Sequence, residues 1–161
     1  MKESINLDDM DVNSAPNQLI AAMNRGTALV TYTGHSGPRE WTFSGLFNTS
    51  HAANLTNAGR PFVVLQWGCW NTYYVDPVNQ YLVQSLLFSG DRGAAAVLGA
   101  STLTDAGSEQ LLGELLTPRL AIQGMTIGQA LQDAKVELAR THPELADVLV
   151  GWSLMGDPGL V

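Results

Sequence analysis

Three apolar runs stand out against a chain in which hydrophobic and polar residues otherwise mix: Ala28-Leu29-Val30-Thr31-Tyr32, Phe62-Val63-Val64-Leu65-Gln66-Trp67 and Ala94-Ala95-Ala96-Val97-Leu98-Gly99. Each is short, apolar or β-branched, and followed by a polar or glycine-bearing turn, so each reads as a strand. Continuity rather than alternation of apolar residues predicts strands covered on both faces. That is the habit of a parallel sheet flanked by helices.

Helical spacing fills the stretches between. Residues 77–88 place Tyr81, Leu82, Ser85, Leu86 and Phe88 near helical intervals, and residues 108–120 carry a stripe of Leu111, Leu112, Leu115 and Leu116. Thr126-Ile127-Gly128-Gln129 has the form of a capping box, followed by Ile127, Ala130, Leu131, Ala134 and Leu138 on one face. This helix should run to about Arg140, ahead of Pro143. A further helix is expected over 17–24, closed by Gly26. The prediction is an α/β domain, a three-layer sandwich around a small, mainly parallel sheet with open edges, occupying residues 1–161 as one unit. Residues 1–13 read as a disordered N-terminal segment.

With 161 residues the chain is long enough to bury a core without a disulfide or metal staple. Its single cysteine, Cys69, can form no internal bridge, and no cysteine and histidine spacing suits structural zinc. Eight basic residues against 15 acidic ones give a net charge of −7. The basic residues are scattered, which excludes nucleic acid as the expected partner. No apolar run is long enough to span a bilayer, so no membrane partner is expected, and the polar start is not a signal peptide.

Chemistry in such a sheet gathers beyond the carboxyl ends of the strands. The first strand ends in Thr33-Gly34-His35-Ser36-Gly37-Pro38 and the second in Trp67-Gly68-Cys69-Trp70-Asn71. If the two strands are parallel neighbours, His35 and Cys69 emerge on one rim, one strand spacing of about 4.8 Å apart at the backbone. An imidazole beside a thiol can activate it and later protonate a leaving amine. The amide of Cys69 and an amide just after His35, at Ser36 or Gly37, could serve a tetrahedral oxyanion. These are the parts of a cysteine peptidase, although a single cysteine or histidine at a strand end is commonly structural.

At these residues the chain also resembles a known family. The run Val30-Thr31-Tyr32-Thr33-Gly34-His35-Ser36-Gly37 with Trp41, then Phe62-Val63-Val64 leading to Gly68-Cys69-Trp70-Asn71, is similar to the gingipain-like cysteine peptidases of caspase-like fold. So are Gly93-Ala94-Ala95-Ala96-Val97-Leu98-Gly99-Ala100-Ser101 and the closing Leu154-Met155-Gly156-Asp157-Pro158. The resemblance covers about Gly26 onward and corresponds to the C-terminal part of that family's catalytic domain. It implies Cys69 as nucleophile, His35 as general acid/base, an oxyanion hole from the amides of Cys69 and of Ser36 or Gly37, and a substrate pocket drawing on the loop Ser101-Thr102-Leu103-Thr104, Ser101 and Thr102 above all, with Trp41 and Trp70 beside it. It also implies a peptide or protein substrate, an N-terminal subdomain or partner chain covering the open sheet edge, and a secreted or cell-surface location. Where the family carries glycine after the histidine, this chain has Ser36.

Two other readings compete. The chain could be an inactive or incomplete peptidase-fold module that serves protein interaction. Gly34-His35-Ser36 also has part of a serine-hydrolase elbow, with Ser36 as nucleophile and His142 as base, but Pro38 stands where the last glycine belongs. No cofactor is expected from the residues themselves. The family resemblance alone implies calcium, for which Asp76, Asp91, Asp105 and Asp157 are the loop acids available.

Overall fold

The computed structural model describes residues 3–11, 13–76 and 78–161. In chain order the elements are α1 (Ala15–Gly26), β1 (Leu29–Thr33), β2 (Ser36–Gly37), β3 (Glu40–Trp41), β4 (Phe47–Asn48), α2 (Thr49–Ala53), β5 (Phe62–Trp67), α3 (Leu82–Leu87), β6 (Ala94–Ala100), α4 (Ala106–Leu120), α5 (Ile127–Thr141), α6 (Ala146–Gly151) and β7 (Trp152–Gly156). The main sheet has the order β1-β5-β6-β7. The first three strands are parallel, as the apolar runs predict, and β7 is antiparallel to β6.

Alternation along the strands splits the core into two layers. On one face Val30, Tyr32, Val64 and Val97 meet Met23 of α1, Ala52 of α2, and Leu82 and Leu86 of α3. On the other, Leu65, Trp67 and Leu98 meet Leu112 and Leu116 of α4 and the stripe of α5. The sandwich therefore has the three layers expected. β1 departs from the expected double burial: Leu29, Thr31 and Thr33 point to the second face, which α4 and α5 do not extend to cover, and Leu29 is 47% exposed.

The helices match the spacing with local corrections. In α5, Gln129 N donates to Thr126 Oγ1 at 3.2 Å and Thr126 N to Gln129 Oε1 at 3.0 Å, forming the predicted capping box. α4 begins earlier than residue 108 because Asp105 is the cap, accepting from Ser108 N at 3.0 Å. The helix expected over 77–88 is only Leu82–Leu87, and its expected start at Pro77 lies outside the described residues. Before it, Asp76 gathers Val78 N, Asn79 Nδ2 and the Tyr81 hydroxyl, and this local turn displaces a first helical turn.

Beyond the additional strand β7 and the short helices α2 and α6, two further features were not expected. The long connection after β1 folds into a small antiparallel sheet, β2-β3-β4, whose two-residue strands are too short to leave a period. The N-terminal segment, where described, is not free of the core: Ile5, Leu7 and Met10 pack against the first layer, and Glu3 pairs with Arg25 at 2.7 Å. Met1, Lys2 and Val12 lie outside the described residues.

Candidate active site

The β1–β5 register pairs Thr33 with Trp67, and Gly34 N donates to Trp67 O at 3.0 Å. His35 and Cys69 each lie two residues beyond that pair, so both leave the sheet at one rim. The Ser36 hydroxyl then ties the loops together, donating to Cys69 O at 2.8 Å. Gly68 permits this approach: a Cβ there would stand 2.2 Å from Gly34 O and 2.6 Å from Ser36 Oγ.

A buried polar floor lies beneath. Asn71 Nδ2 donates to Gly68 O at 3.0 Å and to Ser36 Oγ at 3.2 Å, while its Oδ1 accepts from Ala100 N at 3.1 Å. One side chain thus joins the ends of β5 and β6 and the histidine loop. Gln66, the polar residue inside the second apolar run, accepts from Trp41 Nε1 at 2.6 Å and donates to Asn71 O at 3.1 Å. Gly99 leaves room for this floor, since a Cβ there would meet Thr72 Oγ1 at 2.2 Å and Asn71 Oδ1 at 2.3 Å.

The histidine loop is held by its backbone. Tyr32 OH donates to His35 O at 2.5 Å and Thr42 N to the same oxygen at 2.8 Å. Burial pushes the Tyr32 phenol up to about 12, only partly offset by the Thr42 amide. The imidazole itself is exposed and stacks on Phe43, ring centres 6.0 Å apart and planes 21° apart. In the hairpin, Ser36 pairs with Trp41 and Gly37 with Glu40. The His35–Thr42 bond sets the alternation of that ladder, which directs the Gly37 amide toward Glu40 and the Ser36 amide away from it.

The cysteine loop is held differently. Trp70 adopts φ 57°, and its amide donates to Thr102 O at 3.0 Å, joining the loops after β5 and β6. A left-handed tryptophan is costly backbone strain beside the cysteine. Among the described residues the Cys69 amide has no hydrogen-bond acceptor, so it is available as a donor. Cys69 Sγ lies 3.4 Å from Thr104 Oγ1 and 3.8 Å from Thr104 O. No hydrogen bond joins the thiol to His35 among the described residues; they share the rim without contact of that kind.

A model of peptidase family C25 matches residues 2–161. The chain belongs to that family. Gingipain R2 of Porphyromonas gingivalis is 23% identical, the match covering 94% of this chain and 22% of the relative; for gingipain R1 of the same organism the figures are 22%, 94% and 16%. The solved complex of P. gingivalis RgpB pro- and mature domains matches with TM-score 0.79 and 21% identity over 91% of this chain and 36% of that one. The crystal structure of the Arg-specific cysteine proteinase gingipain R matches with TM-score 0.73 at 22% identity, again over 91% and 36%. This C25 chain thus spans about a fifth of its curated relatives' length. The likeness bears out the caspase-like α/β fold expected from the sequence.

Within this C25 chain the structure changes several expected site roles. Trp41 is 1% exposed, stacked on Tyr32 at 4.6 Å and bonded to Gln66, so most of its ring belongs to the core, while it also borders the cavity lined by His35 and Phe43. Trp70 is only partly buried and packs edge-on against Tyr73 at 5.4 Å. Ser101 turns back to Gly151 O through both its amide and its hydroxyl, and Thr102 offers its carbonyl to Trp70; Thr104 is the residue of this loop that touches the thiol. The serine-hydrolase reading fails on Ser36, which is 6% exposed with its hydroxyl spent on Cys69 O, and which leads into a strand rather than a helix. His142 pairs instead with Glu144.

The residues named for calcium do not form a site. Asp76 and Asp105 spend their carboxylates on local donors, Asp157 Oδ1 accepts from Gly159 N, and Asp91 belongs to a fourth loop. Among the described residues no three acidic, histidine or cysteine side chains converge as metal ligands. Read from the sequence, Asn71, Gln66 and Glu109 have no role, and Thr104 is placed only within the pocket loop of residues 101–104. A polar residue inside an apolar run was the available signal for Gln66.

Proposed function

We propose that Cys69 and His35 hydrolyse peptide bonds, with Cys69 as nucleophile and His35 as the proton carrier. The observation that supports this reading is the parallel β1–β5 register, locked by the Ser36–Cys69 bond, which sets both residues on one rim beside the free Cys69 amide. The Cys69 thiolate attacks the scissile carbonyl carbon, and the displaced electron pair goes to the carbonyl oxygen, where the Cys69 amide and the Ser36 amide donate to it. Collapse of that intermediate breaks the C–N bond, and His35 delivers its proton to the departing amine. Water, deprotonated by His35, then attacks the thioester and restores the thiol. The exposed imidazole has room to swing between the amine and the water.

Substrate is a peptide or protein, and secretion or surface display is part of the same proposal. The open edge of β1, flanked by residues 3–8 and α1, is where a further subdomain or partner chain would seat. That edge, together with the missing thiol–imidazole bond, favours a second reading, an interaction module without turnover. Incubation with a fluorogenic peptide library separates the two. Cleavage that is lost in Cys69→Ala and falls roughly 10²- to 10⁴-fold in His35→Ala carries the proposal. Cleavage persisting in Cys69→Ala, or none by the full-length protein that contains this chain, overturns it.

A further inference from the structure

One cation in the second layer has no acid for a partner. Lys135 of α5 is half-buried, and among the described residues no carboxylate pairs with it. Burial lowers its pKa, and a shielded ammonium is costly unless its protons find acceptors. Its Nζ donates to two backbone carbonyls, Leu149 O at 2.8 Å and Trp152 O at 2.5 Å. Leu149 lies in the last turn of α6 and Trp152 opens β7, so a single ammonium spans the turn between the two elements.

The opposite side of that turn holds the loop beside the thiol. Gly151 O, between the two carbonyls that Lys135 takes, accepts from Ser101 N at 2.8 Å and from Ser101 Oγ at 3.0 Å. The approach is close: a Cβ at Gly151 would stand 2.6 Å from Thr102 Cγ2. Thr102 O in turn accepts from Trp70 N at 3.0 Å, and Thr104 Oγ1 lies 3.4 Å from Cys69 Sγ. A contact or a stretch of one loop's backbone therefore makes every step from the ammonium to the sulfur.

We propose that Lys135 is a positioning residue for substrate binding: by clamping the α6–β7 turn it sets the loop of residues 101–104 against the Cys69 loop. The inference rests on the reading of Cys69 as nucleophile and of that loop as part of the substrate pocket. An ammonium suits the task because its protons can serve carbonyls of two elements at once, and a charged donor makes the stronger bonds. Without it, the turn is free to draw away from Ser101, and the loop loses its support. The groups that react are left in place, so bound peptide is weakened alike in its ground state and its transition state, which is the pattern of a KM effect.

Lys135→Met keeps an unbranched side chain and removes the donor. In the full-length protein that contains this chain, peptide KM should rise about tenfold with kcat within about twofold of the native value. Amide exchange is a readout that needs no turnover: the Ser101 and Trp70 amides should exchange about tenfold faster, while the Leu98 amide, inside β6, keeps its rate. Lys135→Arg retains a charged donor and should recover most of both. Arg119→Met removes a different tie between α4 and α5, to Glu137, and should move neither KM nor the loop amides. Should Lys135→Met not fold, Gly151→Ala presses on Thr102 with the lysine in place and should raise KM in the same way. Unchanged exchange at Ser101 and Trp70 overturns the proposal, as does equal acceleration at Leu98, which marks general loosening. An unaltered KM beside faster loop exchange also overturns it. Faster loop exchange in a protein that cleaves no peptide supports the clamp and counts against the peptidase reading alone.

Discussion

The two loops of the rim are secured in opposite ways. The histidine loop is fastened at its carbonyl, by Tyr32 and Thr42, and leaves its imidazole exposed against Phe43. The cysteine loop is fastened from below, by Asn71, Ser36 and the Trp70–Thr102 link, and its thiol touches Thr104. Backbone is rigid on both sides, whereas side-chain freedom belongs to the histidine. A division of this kind is what the proposed function asks of its two groups, one to carry a proton between two places and one to hold still for attack.

The largest way to break that contrast is to remove the shared floor. Asn71→Ala leaves the Ala100 amide without its acceptor and withdraws the donor from Gly68 O, Gln66 O and Ser36 Oγ, all within a buried region. The expected loss is about 3 kcal/mol, read from the denaturant midpoint, since unsatisfied buried groups cost about 1–3 kcal/mol each and part of the network can relax. A loss under about 1 kcal/mol would show that the floor is not what holds the cysteine loop.

A smaller effect should separate the loops. Tyr32→Phe removes one hydrogen bond to His35 O and should cost about 1 kcal/mol of stability while leaving the alkylation rate of Cys69 unchanged. It also carries a pH signature. Because the folded-state phenol titrates at about 12 and the unfolded one at 10.0, its contribution to stability is complete below about pH 10 and is lost as pH rises toward 12. The Phe variant should show a flatter stability profile across that window in alkaline denaturation. If alkylation changes as well, the two loops are not independent.

The mildest change sharpens the contrast. Phe43 is 80% exposed, so Phe43→Ala should shift stability by less than about 0.5 kcal/mol. Peptide cleavage should nevertheless fall a few-fold if stacking helps to hold the imidazole over the rim, and kcat rather than KM should carry the change. Equal kinetics would mean that the ring is only a neighbour.

Much of this was legible in the chain because it depends on local patterning. The three apolar runs, the Thr126–Gln129 box and the placement of His35 and Cys69 after parallel strands all follow from residues near in sequence. What was not legible depends on partners. β7 is a half-buried strand whose identity comes from pairing with β6, and no alternation in Trp152-Ser153-Leu154-Met155-Gly156 announces it. The family resemblance set Trp41 beside the site, and what the sequence does not show is that the β2–β3 hairpin also turns it onto Tyr32 in the core. Thr104 lies 35 positions beyond Cys69, and its contact with the thiol depends on the link between the two loops, made by the Trp70 amide and the Thr102 carbonyl.

The uncovered flank of β1 carries the histidine at its far end. Alternate peptide groups along Leu29, Thr31 and Thr33 face away from β5, and the same ribbon runs without interruption into Gly34 and His35. A strand added along that flank would run on toward the imidazole, so that under the proposed function its docking would bear directly on the residue assigned to carry the proton.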